Sequence, residues 1–230
     1  MTISPSSFDF GRVMAGWWWL LNRDAVRISR FASFWVLATF GLYSLDHALG
    51  LNQGLGLFST TLLLDPFFIS VFFLVALNDD GVRPMQVIGD ASRHYPAVLA
   101  LTVLSSIGIF VGILLLILPG LALAVFWALA VPVLLVEKKG PTDALRASYD
   151  YVRRHFWPVT GAYIVFCIGY LSVIFLLFAF GLSSDDGAPG PMLAIESLID
   201  IIGAVIGAYL TAAIYRELAY TGRHEVDVFN

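Results

Sequence analysis

Long apolar stretches alternate with short polar connections along the chain. Windows of about 19 residues identify six such stretches, each near the length at which a helix crosses roughly 30 Å of hydrocarbon. Their predicted bounds are 31–49, 55–77, 97–118, 120–136, 158–182 and 193–215. None has the period-two alternation typical of strands, and a backbone in lipid has no water to bond with. We therefore predict an all-α polytopic membrane protein with six transmembrane helices, forming a single integral membrane domain over 1–230.

The polar stretch before the first predicted span is itself amphipathic. In segment 8–21, one helical face carries Phe10, Met14, Trp17 and Leu21. Such a face predicts an in-plane helix that is anchored by indole rings at the level of the lipid headgroups. The segment lacks the basic start and the small-residue cleavage site of a signal peptide, so we expect it to be retained.

Two later polar connections resemble each other. Residues 81–96 and 140–158 both begin with a glycine and proline helix start, and both end with Arg-His, one or two aromatic residues and proline. Each connection predicts an amphipathic helix that lies on the membrane and precedes a helical hairpin. With segment 8–21 they indicate three repeats of one in-plane helix plus two spans, unless every cytoplasmic connection simply has to be basic and amphipathic. The repeat units would be 8–77, 81–136 and 140–216.

The composition supports the membrane assignment. Hydrophobic residues make up 59% of the 230 residues, charged residues make up 13%, and the mean hydropathy is +0.83. Soluble domains carry about 25% charged residues, so this chain has about half the charge that covers a globule. The connections between the predicted spans are too short to hold a separate soluble catalytic domain.

The sequence signatures of enzymes and metal sites are absent from the chain. Its one cysteine, Cys167, excludes an intrachain disulfide and a cysteine-based metal cage. There is no zinc-protease motif, no phosphate-binding P-loop motif and no serine-hydrolase motif. We predict a non-enzymatic protein with no cofactor, no metal and no nucleic-acid partner.

The basic residues are confined to four parts of the chain. All 13 lysines and arginines lie before residue 31, in 78–96, in 137–157 or after residue 215. The connection 183–192 holds none and carries Asp185 and Asp186. Because lysine and arginine resist translocation, we expect both termini and the two basic connections to lie in the cytoplasm. This distribution suits a multi-pass protein of the bacterial inner membrane.

Carboxylates within the apolar stretches form the first candidate site. Asp65 lies near the middle of the second stretch and is followed by Pro66. It is interpreted either as the cap of a helix that restarts at Pro66 or as a functional carboxylate in the membrane. With Asp65, four other residues could line one cavity that holds a proton or a cation, or they could be solvated helix ends. These four lie in the outer halves of the first and sixth stretches: Asp46, His47, Glu196 and Asp200.

The second candidate site is the basic surface of the cytoplasmic connections. An anionic membrane attracts each nearby lysine or arginine by about 1 kcal/mol, and headgroup phosphates are natural partners for basic side chains. The candidate lipid contacts are Arg93, His94, Lys138, Lys139, Arg153, Arg154 and His155.

Proline and glycine predict where the spans turn, bend or touch. Pro119 and Gly120 predict a two-residue reversal between the third and fourth stretches, because proline cannot continue the helix and glycine tolerates a turn. Pro132 predicts a kink near the end of the fourth stretch. Gly203 and Gly207 form a ridge of small residues suited to close helix contact, within the fold or with a second copy.

The stretch from 118 to 157 carries the most specific pattern in the chain. It contains Leu118-Pro119-Gly120, Trp127, Pro132, Glu137, Gly140-Pro141, Ala144-Leu145, Ser148 and His155-Phe156-Trp157. This pattern resembles the multi-pass membrane domain of glycerophosphoryl diester phosphodiesterase-like proteins. The catalytic barrel of those proteins has no counterpart in this sequence, so the resemblance implies a stand-alone membrane domain.

Two functions compete on these observations. The basic amphipathic connections favour a protein that binds lipids and supports envelope homeostasis or lipid movement. The intramembrane carboxylates and the interrupted second stretch favour a small transporter or channel for a proton, a cation or a small solute. The expected partners are membrane lipids, and a homo-oligomer is an open alternative.

Overall fold

The computed structural model describes residues 8–49, 60–78, 83–179 and 191–228. Within these ranges the chain is almost entirely helical and contains no strand, which confirms the predicted all-α class. A π-helical turn, Thr60–Leu64, leads directly into the second α-helix. The helices are α1 (Phe10–Ala48), α2 (Asp65–Leu77), α3 (Pro84–Leu115), α4 (Ile117–Trp127), α5 (Ala130–Glu137), α6 (Pro141–Arg153), α7 (Phe156–Ala179) and α8 (Pro191–Val228).

Five helical stretches in these ranges are long and apolar enough to cross a membrane, against the six predicted. They are Phe10–Leu42, Pro84–Leu115, Ile117–Glu137, Phe156–Leu177 and Ser197–Ala219. The predicted span 55–77 is described only from residue 60, and its apolar helix, Leu62–Leu77, is about 24 Å long at 1.5 Å per residue. That length falls short of roughly 30 Å of hydrocarbon. The chain is thus a membrane-embedded helical protein, and its described residues include one short apolar helix.

The predicted in-plane helix 8–21 and the first predicted span form one continuous helix. α1 has 39 residues and is about 58 Å long. The prediction of two separate elements is wrong because residues 22–30 contain neither proline nor glycine, so nothing interrupts the helix between its amphipathic and apolar parts. Asp9 precedes the helix, and its carboxylate accepts the backbone N–H of Gly11 at 2.8 Å.

The second predicted in-plane helix is also continuous with the span that follows it. α3 begins at Pro84 and contains Pro96, so the proline that was expected to separate the two elements lies inside one helix. The third predicted in-plane helix, α6, is a separate element that ends at Arg153, and residues 154 and 155 separate it from α7. α6 packs on α3, α4 and α5, so its buried face contacts protein and not lipid. That face consists of Ala144, Leu145, Ser148 and Val152.

The reversal between α3 and α4 lies at Leu116, and its prediction at Pro119-Gly120 is wrong by a few residues. Leu116 has an extended backbone (φ −161°, ψ 131°), while Pro119 and Gly120 lie in the first turn of α4. Proline is tolerated there because the first four amides of a helix have no intrahelical acceptor. Gly120 permits a close approach, since a Cβ atom on it would collide with the backbone of Ile113.

The fourth predicted span is interrupted between α4 and α5, at residues 128–129. Pro132 has no N–H group, so the Ala128 carbonyl lacks its helical donor. Beside the interruption, the hydroxyl of Ser148 donates a hydrogen bond to the Phe126 carbonyl at 2.6 Å. α6 therefore satisfies a carbonyl next to the place where the helix breaks.

Aromatic contacts in the core join α1 to α2. The ring of Trp35 stacks on Phe68 with centroids 5.1 Å apart and contacts Phe72 at 6.0 Å. α8 packs on both of these helices, and its residues Ile201, Val205 and Ala208 belong to the same buried cluster.

The predicted ridge of small residues on α8 faces α7. A Cβ atom on Gly203 would collide with the ring of Tyr170, and one on Gly207 would lie 3.2 Å from the ring of Phe166. The ridge is therefore used for close contact within the fold.

Candidate functional site

The polar site predicted around Asp65 is built on the π-helical turn before α2. Where π-helical hydrogen bonding changes to α-helical hydrogen bonding, one backbone carbonyl receives no hydrogen bond from a helix amide. Such π-helical turns occur often at functional sites. The hydroxyl of Tyr95, on α3, donates a hydrogen bond to the Leu63 carbonyl at 2.9 Å, within this transition. Leu64 has α-helical angles, and no side chain caps the helix start. Asp65 is thus the first residue of α2 and does not cap a restarted helix.

Two of the five predicted polar-site residues come together in the structure. The indole of Trp35 donates a hydrogen bond to the half-buried Asp65 carboxylate, and Asp200 is close enough to interact with it electrostatically. Asp200 accepts a hydrogen bond from the hydroxyl of Tyr170 at 2.6 Å. Helices α1, α2, α7 and α8 therefore supply two carboxylates that interact electrostatically, and each has an aromatic hydrogen-bond donor beside it.

The side chains of Asp46, His47 and Glu196 lie outside the described part of the structure. Their backbones belong to the last turn of α1 and to the beginning of α8. Among the residues that are described, no group of three or more His, Cys, Asp or Glu side chains could hold a metal ion.

A second polar cluster was not predicted from the sequence, and it joins α1 to α8. The side chain of Asp24 is fully buried and pairs with Arg23 at 2.8 Å and with Arg27 at 3.3 Å. It also accepts a hydrogen bond from the hydroxyl of Tyr209 at 3.4 Å. We call these four residues the Asp24 cluster. A buried carboxylate costs several kcal/mol unless it is paired and hydrogen-bonded, so the two guanidinium groups offset this cost.

The Asp24 cluster also holds the end of α2. Arg23 Nη2 also lies within hydrogen-bond distance of three carbonyl oxygens, those of Val75 and Ala76, both at 3.2 Å, and of Asn78 at 3.4 Å, which share its second N–H. The last carbonyls of a helix have no intrahelical donor and carry partial negative charge, so a cation is favourable there. On its other side Arg23 lies over the ring of Trp19, 4.9 Å from the centroid. One arginine thereby links the first two helices.

The sequence analysis did not identify Asp24 because this residue stands among four arginines, in a segment whose composition is typical of a solvated surface. The usable signal was its position on the helix. Asp24 lies one turn after Leu20 and about three turns before Trp35, at the 3.6-residue period of the buried face of α1. An acidic residue at that spacing, between two arginines, indicates a buried ion pair more than a surface charge.

Glu137, at the end of α5, is the centre of a third polar group. It accepts hydrogen bonds from the hydroxyls of Tyr151 at 2.9 Å and Tyr215 at 3.2 Å, and it pairs with Lys139 at 2.7 Å. Lys138, which stands between Glu137 and Lys139 in the chain, has a left-handed backbone with φ 52°, and this ends α5. Glu137 therefore ties α5 to α6 and α8.

The predicted lipid-contact residues separate into two groups. His94 Nδ1 lies 2.8 Å from the Asp90 carbonyl oxygen, and the half-buried ring of His155 lies 6.1 Å from that of Phe8, so both imidazoles contact protein. The five cations are exposed: Arg93, Lys138, Lys139, Arg153 and Arg154.

Comparison with known proteins places the chain in a family. Residues 49–220, about three quarters of the chain, match the family described as Domain of unknown function (DUF7847). The chain belongs to that family. No solved structure matches it. The matched segment holds Asp65, Glu137 and Asp200, whereas Arg23 and Asp24 precede it, so the Asp24 cluster joins a helix before the family segment to two helices within it.

Proposed function

We propose that this chain is a non-enzymatic protein of the bacterial inner membrane that binds anionic lipids at its cytoplasmic face and supports envelope homeostasis or lipid movement. The observation that carries the proposal is the junction of α6 and α7. There Trp157 is 79% exposed and follows two exposed arginines, Arg153 and Arg154, within four residues. Exposed indole rings favour the headgroup level of a bilayer, and guanidinium groups form strong hydrogen bonds with phosphate.

The packing of α6 supports contact by charge and not by insertion. Its buried face lies on α3, α4 and α5, so its apolar side chains are already covered by protein. Its opposite face is exposed and carries Arg146, Tyr149 and Arg153. A helix placed in this way presents cations to headgroups while the bundle holds it in position, and each cation near an anionic surface contributes about 1 kcal/mol.

The proposal is tested by the double change Arg153→Ala with Arg154→Ala. Loss of two cations at about 1 kcal/mol each weakens binding to anionic lipid roughly 30-fold. The measurement is the amount of phosphatidylglycerol that copurifies with the protein in detergent, determined by mass spectrometry. The control is Arg153→Lys with Arg154→Lys, which keeps both charges and is expected to retain most of the lipid. Unchanged retention after the alanine changes contradicts the proposal.

The cluster of Asp65 and Asp200 favours a second candidate function, the transport of a proton or a cation. Two carboxylates within electrostatic range of each other share positive charge readily, and a π-helical turn beside them is a feature of functional sites. Asp65→Asn and Asp200→Asn are each expected to abolish ion uptake by vesicles that contain the purified protein. Equal uptake by both variants and the unchanged protein, or no uptake by any of them, argues against transport.

A further inference from the structure

The exposed face of α6 carries charges of alternating sign. Residues 142, 143, 146, 149, 150 and 153 are exposed and recur at the three- and four-residue spacing of one helical face. Four of them are charged, in the order Asp143, Arg146, Asp150 and Arg153. The two carboxylates and the two guanidinium groups give this face a formal charge of zero. We call these four residues the α6 charge row.

Within one molecule, the contact that the α6 charge row makes with itself is weak. Asp150 pairs with Arg153 at 3.5 Å, and both side chains are about half exposed. An exposed ion pair three residues apart on a helix contributes little to stability, because water and salt screen it. Either partner can therefore exchange this contact for an opposite charge on another molecule.

The order of the charges is complementary to itself when a second copy is placed antiparallel. The positions of Asp143 and Arg153 have the same midpoint as those of Arg146 and Asp150, at position 148. A two-fold axis that crosses α6 at this midpoint therefore sets each acidic residue of one copy opposite an arginine of the other. Parallel helices in register would instead set each residue opposite itself, which places like charges together.

The same arrangement suits two copies in one membrane. Copies that share a topology keep the same direction across the bilayer, so a two-fold axis between them runs along the membrane normal. Helices that lie along the membrane, the course predicted for α6, then meet across the axis as antiparallel neighbours. The buried face of α6 packs on α3, α4 and α5, so the charge row is on the side that is left for a second copy.

We propose that the α6 charge row is the contact between two copies of this chain, which pair through antiparallel α6 helices. Asp143 of each copy pairs with Arg153 of the other, Arg146 pairs with Asp150, and the exposed rings of Tyr149 lie beside the axis. Charge complementarity of this kind fixes the partner and the register more than it adds affinity. The inference goes beyond the proposed function and does not depend on lipid binding.

The position of the two-fold axis is tested by cysteine cross-linking of the full chain in membranes, in a Cys167→Ala background. At 1.5 Å per residue, the two copies of position 149 are about 3 Å apart along the helix axes, and those of position 142 are about 18 Å apart. A short bismaleimide should therefore cross-link Tyr149→Cys at least about tenfold faster than Thr142→Cys, which is exposed on the same face. Equal rates, or no cross-linking of either variant, overturn the inference.

The charges are tested with two complementary variants. Asp143→Lys with Asp150→Lys makes the row wholly basic, and Arg146→Glu with Arg153→Glu makes it wholly acidic. Each variant should self-associate at least about tenfold more weakly than the unchanged protein, since like charges then face each other. A mixture of the two should dimerise as the unchanged protein does, because every pair is opposite again. Tags of different mass identify the mixed dimer in native mass spectrometry of the purified proteins.

Arg30→Glu with Arg93→Glu is the matched control, because it reverses two exposed arginines outside α6 and should leave the dimer intact. Formation of the mixed dimer also shows that both complementary variants fold. If either of them does not fold, the comparison of Tyr149→Cys with Thr142→Cys decides the outcome. A mixture of folded variants that stays monomeric, or dimers in both variants alone, overturns the inference.

Asp143→Asn with Asp150→Asn separates this inference from lipid binding. The variant removes the acidic member of every pair and keeps every cation, so it should weaken the dimer without lowering the amount of copurified phosphatidylglycerol. If this variant and the two complementary ones change the bound lipid and not the dimer, the inference is wrong and the proposed function stands. If they lose the dimer while Arg153→Ala with Arg154→Ala keeps all its lipid, the proposed function is wrong and the inference stands.

Discussion

At the scale of single residues, the carboxylate of Asp24 joins α1 to α8. It is fully buried, and its partners are two arginines of its own helix and a tyrosine of α8. Removing one member of a buried ion pair leaves the remaining charges without compensation, which costs about 3–5 kcal/mol. Asp24→Asn is therefore expected to lower the thermal unfolding temperature of the purified protein markedly.

The matched control for Asp24 is Asp150, which pairs with Arg153 at 3.5 Å on the exposed face of α6. Exposed pairs contribute about 0–1 kcal/mol, so Asp150→Asn should leave the unfolding temperature almost unchanged. Unfolding measured by intrinsic fluorescence in the same detergent compares the two variants. Equal shifts would show that the burial of Asp24 does not matter to stability.

Several residues of the stretch from 118 to 157, which carries the most specific sequence pattern, have packing roles in this structure. The ring of Trp127 lies where a Cβ atom on Gly108 would be. Ser148 donates a hydrogen bond to the Phe126 carbonyl. Glu137 accepts hydrogen bonds from two tyrosine hydroxyls. The most specific part of the sequence therefore specifies how α3, α4, α5 and α6 fit together.

At the scale of helices and turns, the hydrophobic pattern predicted that the chain consists of apolar helices, but it gave six spans against the five found in the described residues, and it did not predict the joints between helices. An amphipathic segment and an apolar span are both helical, so only a helix breaker between them would separate the two. Residues 22–30 contain none, and Pro96 is accommodated within α3. Between α6 and α7 the chain turns at residues 154–155. The connection that forms α6 turns because α6 packs against α3, α4 and α5. The hydrophobic periodicity of a sequence does not show which helices pack together.

The contact between α3 and α4 depends on glycine. A Cβ atom on Gly120 would collide with the backbone of Ile113, and backbone cannot move aside as a flexible side chain can. Gly120→Ala is expected to destabilise the protein by about 1–3 kcal/mol, as overpacking does. The measurement is again thermal unfolding in detergent.

Gly161 is the matched control for that change, because it lies in α7 and a Cβ atom on it meets nothing within 4 Å. Gly161→Ala should be neutral or stabilising by up to about 1 kcal/mol, since alanine loses less backbone entropy in a helix. If the two alanine variants unfold at the same temperature, close helix contact is not what glycine provides at position 120.

At the scale of the whole molecule, the sequence predicted the class and not the arrangement. Buried contacts join α1 to α8, with the hydroxyl of Tyr209 donating a hydrogen bond to Asp24 across 185 positions of the chain. Hydropathy records how apolar each stretch is, but not which stretch lies beside which. Asp65 and Asp200 were predicted as members of one candidate site because each carboxylate stands among apolar residues in the sequence. The Asp24 cluster was not predicted, because its charged residues resemble ordinary surface charges.

The predicted orientation is tested by cysteine labelling in a Cys167→Ala background, which removes the exposed native thiol. Lys139→Cys should react with a membrane-impermeant maleimide only after the cells are permeabilised, because lysine-rich connections stay in the cytoplasm. Asp186→Cys, in a connection without lysine or arginine, should react in intact cells. The reverse pattern would invert the topology and move the proposed lipid surface to the other side of the membrane.

The Asp24 cluster has a consequence for biosynthesis. The ribosome makes α1 and α2 before α8, so Arg23 can bond the end of α2 before Tyr209, which follows Asp24 by 185 residues, has been made. Until α8 is made, the carboxylate of Asp24 lacks its hydrogen bond from Tyr209 and the packing of α8 beside it. α8 therefore completes the polar cluster of α1, so a nascent chain that stops before α8 leaves the Asp24 carboxylate without its tyrosine partner.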